Sequence, residues 1–398
     1  MNSRLRCPPN ESPFIVFCLC SEDEKVPIYI YPENFESNDI QLDKIHGFCF
    51  PCDSIKRKDD EFFVFVLTDK ENKLAFGFSL YDTKTSKVFC VLSHLPWQLL
   101  FSHVLTSLQA VYVEDNLDDL AARVSSTLNQ TTEQLYETWK HITLHSQIED
   151  SNLFNALAVI PSDKDFTIFA SIGWKNMVIV FQLLMNEQRI LFVSNRLSYL
   201  SACCLSCLRI MYPFFWQSVF VPILPYHLHH FIEAPYPYII GVHLEIWKEI
   251  QKHSHISDLL KSVVVIHLDE TNVKDMLKNA LSIDPALKNL SNNLRNSFNK
   301  STFCTSIHES FLQETCKISV SLRNYEKLSN NNSRKLKKMK GSFVNKCADT
   351  LIFQQFVGDK SVSAVFNTLL ENAPRHTPIE KNFKHQLKKR MKFVCCCF

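Results

Sequence analysis

The sequence predicts an α/β protein of two lobes: a smaller α+β lobe, then a lobe with a mostly parallel α/β core and a helical extension. Three observations carry this. Short runs rich in Phe, Val and Cys crowd the chain before Pro96, later apolar runs alternate with helical patterns, and beyond Asn272 the chain turns helical and polar. With 398 residues, 46% apolar and 21% charged, the chain has material for two or three domains with sizeable cores.

In order, residues 14–20, 62–67, 74–80 and 87–92 read as strands, because they are short and rich in β-branched and aromatic side chains. Thr68 to Asn72 and Tyr81 to Ser86 are the turns between the later three. Pro96 opens a helical pattern with apolar residues three and four apart. A polar, weakly periodic stretch follows, with one or two modest helices between Asp118 and His145. The texture then changes: a helix from Asn176, an apolar strand Ile190–Val193 and a helix from Ser198 to Met211. Strands at Val219–Ile223, Tyr238–Val242 and Val263–Leu268 complete a sheet covered on both faces. A Lys/Asn/Ser-rich insert at Asn330–Lys340 precedes a short helical block, Phe343 to Phe356. The boundaries drawn are 1–112 for the first lobe, 113–165 for a linker, 166–290 for the central α/β domain, 291–372 for a helical module and 373–398 for a basic, Cys-rich tail.

Composition excludes several classes. The six glycines are scattered, so neither G-x-x-x-x-G-K-[ST] nor G-x-G-x-x-G is present. A loop that cradles phosphates needs clustered glycines, so nucleotide chemistry is assigned to a partner and no cofactor is expected. The fifteen cysteines sit among apolar neighbours, as reduced core residues of a cytosolic protein do. No secretory signal is read at the N-terminus, and the most apolar stretch, Leu208 to Pro225, is broken by Arg209, Gln217 and internal prolines, so no membrane span is read. From Arg375 onward there are seven basic residues and one acidic, which leaves a net charge of −4 on the rest of a chain whose total is +2. A mildly acidic body with a basic tail suits an anionic membrane surface better than nucleic acid.

The densest motifs lie between Glu187 and His243. Arg189 precedes a buried strand and is a candidate for partner contact, against the ordinary reading of a structural ion pair or helix cap. Asn195 and Arg196 follow that strand, where open α/β sheets bind ligands; Asn195 or Ser198 would serve equally as a helix N-cap. In Glu233 to Tyr238 (E-A-P-Y-P-Y) two prolines hold an extended loop, which makes Glu233 and Tyr236 good interface anchors. Tyr212 to Trp216 reads as structural, with Trp216 wedged between helix and strand. Cys49/Cys52 and Cys204/Cys207 are C-x-x-C pairs in separate lobes, and His227, His229 and His230 read as a solvated helix start; no metal is assigned to either group. The terminal Cys395-Cys396-Cys397-Phe398 has the C-a-a-X form of a lipidation signal, by prenylation or palmitoylation, with upstream lysines as the second anchor; an unmodified basic tail is the alternative.

Three blocks of the chain resemble DENN domains, the exchange factors of Rab GTPases: F-C-F-P, F-V-L-T-D, F-G-F and L-S-H-L-P-W in the first lobe (Phe48 to Trp97), the stretch Glu187–His243, and S-L-R-N-Y-E-K with F-Q-Q-F-V-G downstream. The first-lobe texture is similar to the connecdenn subfamily. The resemblance implies an upstream longin-like lobe, a central DENN α/β domain and a downstream helical module. It also implies a body that grips a GDP-bound Rab across both lobes without covalent chemistry, with the recycling-endosome Rab numbered thirty-five as substrate. It places the protein in endocytic traffic, recruited from the cytoplasm to plasma-membrane, endosomal or clathrin-coated vesicle surfaces. Arg189, Asn195, Arg196, Glu233 and Tyr236, with the first-lobe helix around Trp97, are the residues through which it would act. A non-catalytic DENN-fold adaptor for a GTP-loaded GTPase, or a GTPase-activating relative using Arg196, is the rival reading. Gln188 departs from the E-R-R-I-L of connecdenns. This sequence holds none of their long Pro-rich, clathrin-adaptor-binding segment, so adaptor binding is not carried over.

Overall fold

The computed structural model describes residues 12–35, 42–68, 74–114, 116–131, 133–135, 163–212, 214–253, 260–270, 282–298, 303–331 and 343–358. Much of the predicted linker, most of the turn at 68–72, the Lys/Asn/Ser-rich insert and the basic tail with Cys395, Cys396 and Cys397 therefore lie outside the described residues.

The first lobe is an antiparallel sheet of β1 (Phe14–Ser21), β2 (Tyr29–Tyr31), β3 (Glu61–Thr68), β4 (Leu74–Asp82) and β5 (Lys87–Ser93), in the order β2-β1-β5-β4-β3. β4 and β5 are buried along their whole length, because they are central and covered on both faces. Helix α1 (Leu42–Cys49) lies on the face of Phe63 and Phe65, with the Phe48 and Phe65 rings stacked 4.9 Å apart. Helix α2 (Gln98–Val111) covers the other face, and Phe101 stacks on Phe78 at 4.3 Å. A Cβ on Gly77 would sit 2.1 Å from the Phe65 ring, so F-G-F is the spacing that lets that ring cross β4 and reach Phe48.

Two elements of the first lobe escaped the sequence reading. β2 is three residues long and runs into Pro32. Helix α1 contains Gly47, which weakens a local helical signal. A Cβ there would lie 2.9 Å from His227 Cε1, so the glycine serves the approach of the second lobe.

After α3 (Asp118–Leu128), the second lobe begins with α4 (Asp163–Ala170) and α5 (Gly173–Met185). Its sheet joins β6 (Ile190–Ser194), β7 (Val219–Val221), β8 (Tyr238–His243) and β9 (Val264–His267) in the order β7-β8-β6-β9, every pair parallel. Side chains alternate between two cores. Ile190, Phe192, Ile239 and Ile266 join the large core that α6 (Leu197–Met211) shares with the first lobe, whereas Leu191, Val193, Ile240 and Val242 pack with Ile246 and Trp247 of α7 (Leu244–Ile250). Gly241 faces α6, where a Cβ would meet the Pro222 carbonyl oxygen at 2.0 Å. A parallel sheet following an antiparallel one is the predicted fold class.

The helical extension comprises α8 (Lys288–Ser297), α9 (Phe303–Asn331), α10 (Phe343–Ala348) and α11 (Leu351–Gly358). Its last helix is docked by a residue of the E-Q-R-I-L motif. Helix α5 ends with Glu187 N–H donating to Leu184 O and Gln188 N–H to Leu183 O, both at 3.0 Å, with Glu187 at φ 49° in the position glycine usually takes. The strained backbone aims the Glu187 carboxylate at α11, where it accepts from Leu351 N–H (3.0 Å) and Ile352 N–H (2.9 Å). Phe356 of that helix meets Phe214 at 4.8 Å, so the Y-P-F-F-W block is a structural seat, and Trp216 is buried in the core with its Nε1 donating to Val219 O.

Glu187→Ala should lower the unfolding free energy by about 2 kcal/mol, since it removes both caps and keeps the strain. Glu187→Gly should cost about 1 kcal/mol less than Glu187→Ala, because glycine accepts positive φ. Urea titration of the two variants checks this: equal losses would refute the strain, and no loss would refute the cap.

Candidate partner-binding site

Because the second sheet is parallel, its strands deliver their carboxyl ends to one edge: Ser194, Val221, His243 and His267. There the backbone of residues 194–198 is tied down from several directions. Asp269, just past β9, accepts from Ser194 Oγ at 2.8 Å and from Asn195 N–H at 2.6 Å. The Asn195 carbonyl accepts from His243 Nε2 at 2.9 Å. Arg196 N–H donates to Ser194 Oγ at 3.1 Å, and Ser198 donates through both N–H and Oγ to Glu61 of the first lobe, at 2.9 and 2.7 Å.

The Asn195 and Arg196 side chains are exposed, and among the described residues neither finds a hydrogen-bond partner. The Arg196 guanidinium lies 5.3 Å from the Tyr199 ring centroid, which steadies it while leaving its donors to solvent. A fixed backbone with free polar side chains is a surface already organised for a partner. Neither Asn195 nor Ser198 acts as the N-cap of α6. Arg196 occupies that position without a side-chain cap, and the capping carboxylate comes from Glu61.

His243 Nδ1 accepts from Glu245 N–H at 3.2 Å, so its proton is on Nε2 and the ring is neutral. Burial pulls its pKa below the usual 6.5, against the opposing hydrogen bond to Asn195. His308 on α9 is held lower still, at about 3, by burial and by the nearby Arg209 charge.

Arg189, Glu233 and Tyr236 lie at the opposite, amino end of the sheet, with Arg189 about 20 Å from Asn195 at the roughly 3.3 Å rise of an extended residue. Arg189 donates to Ala234 O (3.3 Å) and Ser262 Oγ (2.6 Å), pinning the E-A-P-Y-P-Y loop beside β9. Glu233 and Tyr236 are exposed on that loop, Tyr236 by half its surface. Trp97 is half-buried before α2, next to Gln98, whose amide reaches Asp165 Oδ2 at 2.7 Å. The six candidates thus fall into two groups at opposite ends of one sheet, with Trp97 on the first lobe. Glu61, Asp269 and His243 were missed. Their partners lie 137, 74 and 48 residues away, beyond the reach of any local pattern.

Cys204 and Cys207 are buried on α6, and burial pushes both thiols well above their usual pKa. Cys49 and Cys52 are in the other lobe. His227, His229 and His230 lie on a 3-10 turn, Tyr226–Glu233, with the His229 ring stacked on His253 at 5.9 Å. Among the described residues no group of three His, Cys, Asp or Glu could hold a metal ion, and no helix is long and apolar enough to cross a membrane.

The unfolded chain takes up protons on His243 and His308 that the folded chain resists, so their contribution is complete above pH 6.5 and is lost as the pH falls toward the folded values. The carboxylates held low, Asp60 and Glu245, change protonation only below their usual 3.8 and 4.5, outside that window. The urea midpoint should therefore fall between pH 6.5 and 5. A midpoint that stays level over that interval would contradict the neutral assignment of both rings.

A family model described as DENN (AEX-3) domain matches residues 84–271, and a uDENN domain model matches residues 26–81. The junction falls between β4 and β5, so β5 of the antiparallel sheet lies within the DENN match. DENN domain-containing protein 1B of Mus musculus is 32% identical over 291 residues, 69% of this chain and 36% of that protein. DENN domain-containing protein 1A of Xenopus laevis is 32% identical over 270 residues, 65% of this chain and 26% of that protein. DENN domain-containing protein 1C of Mus musculus is 27% identical over 301 residues, 69% of this chain and 37% of that protein. The matched region is thus well under half the length of these relatives.

Proposed function

The chain belongs to the DENN domain family, and from that premise we propose that it is a guanine-nucleotide exchange factor for a Rab GTPase. The observation that carries the reading is the pinned segment 194–198, which offers Asn195 and Arg196 to solvent at the junction of the two lobes. An exchange factor needs no covalent chemistry. It accelerates GDP release by binding the nucleotide-free GTPase more tightly than the loaded one, which is differential binding applied to a dissociation step.

Rigid donors suit that task. Side chains on a fixed backbone lose little entropy when they engage, so more of the contact energy is left to displace the GTPase's first switch from the nucleotide and its magnesium. Arg196 and Asn195 are assigned to that switch region. Tyr236 and Glu233, at the other end of the sheet, and Trp97, on the first lobe, widen the grip. Arg189 works behind the surface by holding the Tyr236 loop. The recycling-endosome Rab numbered thirty-five is the proposed substrate, and endocytic membranes are the proposed place of action. The basic stretch from Arg375, with lipidation at Cys395, Cys396 or Cys397, would hold the protein there by charge and acyl or prenyl chain together.

Release of a fluorescent GDP analogue from a panel of purified Rabs, with this protein at catalytic amounts, tests the reading. One or two Rabs should respond, and Arg196→Ala should cut kcat/KM on them by about ten-fold or more, as expected for removing a central arginine anchor. Tyr236→Ala should act in the same direction. No release from any Rab, with binding only to a GTP-loaded one, would replace the proposal with an adaptor role. Stimulated hydrolysis that Arg196→Ala abolishes would replace it with GTPase activation.

A further inference from the structure

Glu61 belongs to the first lobe, yet its carboxylate lies at the N-terminus of a helix in the second. Helix α6 begins without a capping side chain of its own, since Arg196 at the cap position makes no such bond. Glu61 Oε1 takes the Ser198 N–H at 2.9 Å and the Ser198 hydroxyl at 2.7 Å. A helix's first N–H groups have no partner within the helix, so a carboxylate supplied there sets the direction of its opening turn as well as neutralising it.

The same first-lobe segment carries a buried cation. Arg57, four residues earlier, is caged by Phe50 (5.3 Å), Phe63 (5.2 Å) and Tyr81 (4.5 Å), and its Nη2 donates to Cys49 O at 2.6 Å. Its Nη1 finds no hydrogen-bond partner among the described residues, so the rings and the Cys49 carbonyl are what hold it. The path from the first lobe therefore runs from Glu61 to Ser198, and two residues back to Arg196. Tyr199, which steadies the Arg196 guanidinium, stands on the same opening turn.

We propose that Glu61 is a positioning residue, which makes the pose of Arg196 depend on how the first lobe docks against the second. A partner lying across both lobes would then bind two surfaces that are held in register by one carboxylate. The inference rests on the exchange reading and names the residue that links the two halves of that site.

The test is a double-mutant cycle on GDP release with Glu61→Ala, Glu61→Gln and Arg196→Ala in the full chain, joined to amide hydrogen exchange of the peptide spanning residues 195–205. Glu61→Ala should lower kcat/KM about ten-fold, and so should Arg196→Ala, while the double variant should lose about ten-fold and not about a hundred-fold, because residues that act through one another are non-additive. Glu61→Gln keeps an acceptor oxygen for Ser198 and should restore both the rate and slow amide exchange. Should Glu61→Ala not fold, Ser198→Ala removes one of the two bonds from the other side and should lower the rate about three-fold, the scale of one modest hydrogen bond. A multiplicative loss in the double variant, or full activity in a folded Glu61→Ala, would overturn the proposal. The exchange of residues 195–205 is read without any GTPase. If wild type releases GDP from no Rab, the exchange reading fails. The positioning role then stands or falls on whether Glu61→Ala speeds amide exchange there and Glu61→Gln does not.

Discussion

Backbone groups at the edge of a parallel sheet have to find partners once the strand ends, and here that requirement is met by side chains from far away in the chain. Beyond Ser194, which ends β6, residues Asn195 to Ser198 have no strand left to pair with. Asp269 takes the Asn195 N–H, His243 holds its carbonyl and Glu61 takes the Ser198 N–H. Each bond closes a long loop of chain, so the segment is correct only when both lobes are formed and in contact. The bonds of Ser198 to Glu61 and of His243 to the Asn195 carbonyl are part-buried, so each contributes about 0.5–1.5 kcal/mol to holding the segment in place.

The rest of the fold serves that junction. The large core runs from Phe17 and Phe65 in the first lobe through Leu205 and Cys204 on α6 to Phe311 on α9, so α6 is packed by both lobes and by the helical extension. Small residues occur where elements come close: Gly47 against His227, Gly77 under Phe65 and Gly241 against Pro222. Glu187 accepts a left-handed backbone to dock the last helix, and Arg189, two residues on, pins the Tyr236 loop. The residues that read as a signature in the sequence are thus divided between holding the surface and forming it.

Fold was legible where burial is local. Ile190–Val193 was readable because a strand buried on both faces must be apolar at every position, and it is found as Ile190–Ser194. Val219–Ile223 is shorter than it reads, ending at Val221 because Pro222 has no N–H to donate. The helix read from Ser198 begins at Leu197, capped from outside itself. Asn195 and Arg196 could be picked out by the rule that open α/β sheets bind at strand carboxyl ends. Glu61 and Asp269 could not, since a carboxylate at a strand start or in a loop looks the same in sequence whether it faces water or another lobe. The division of the candidates between two ends of the sheet was equally hidden, because spacing along the chain carries no strand direction.

The central claim is preference for one nucleotide state, and it is tested most directly by equilibrium binding. Affinity of the whole chain would be measured for a single responsive Rab in three forms: GDP-bound, GTP-analogue-bound, and stripped of nucleotide and magnesium. Binding should be tightest to the stripped form. Tightest binding to the GTP-analogue form would contradict the account.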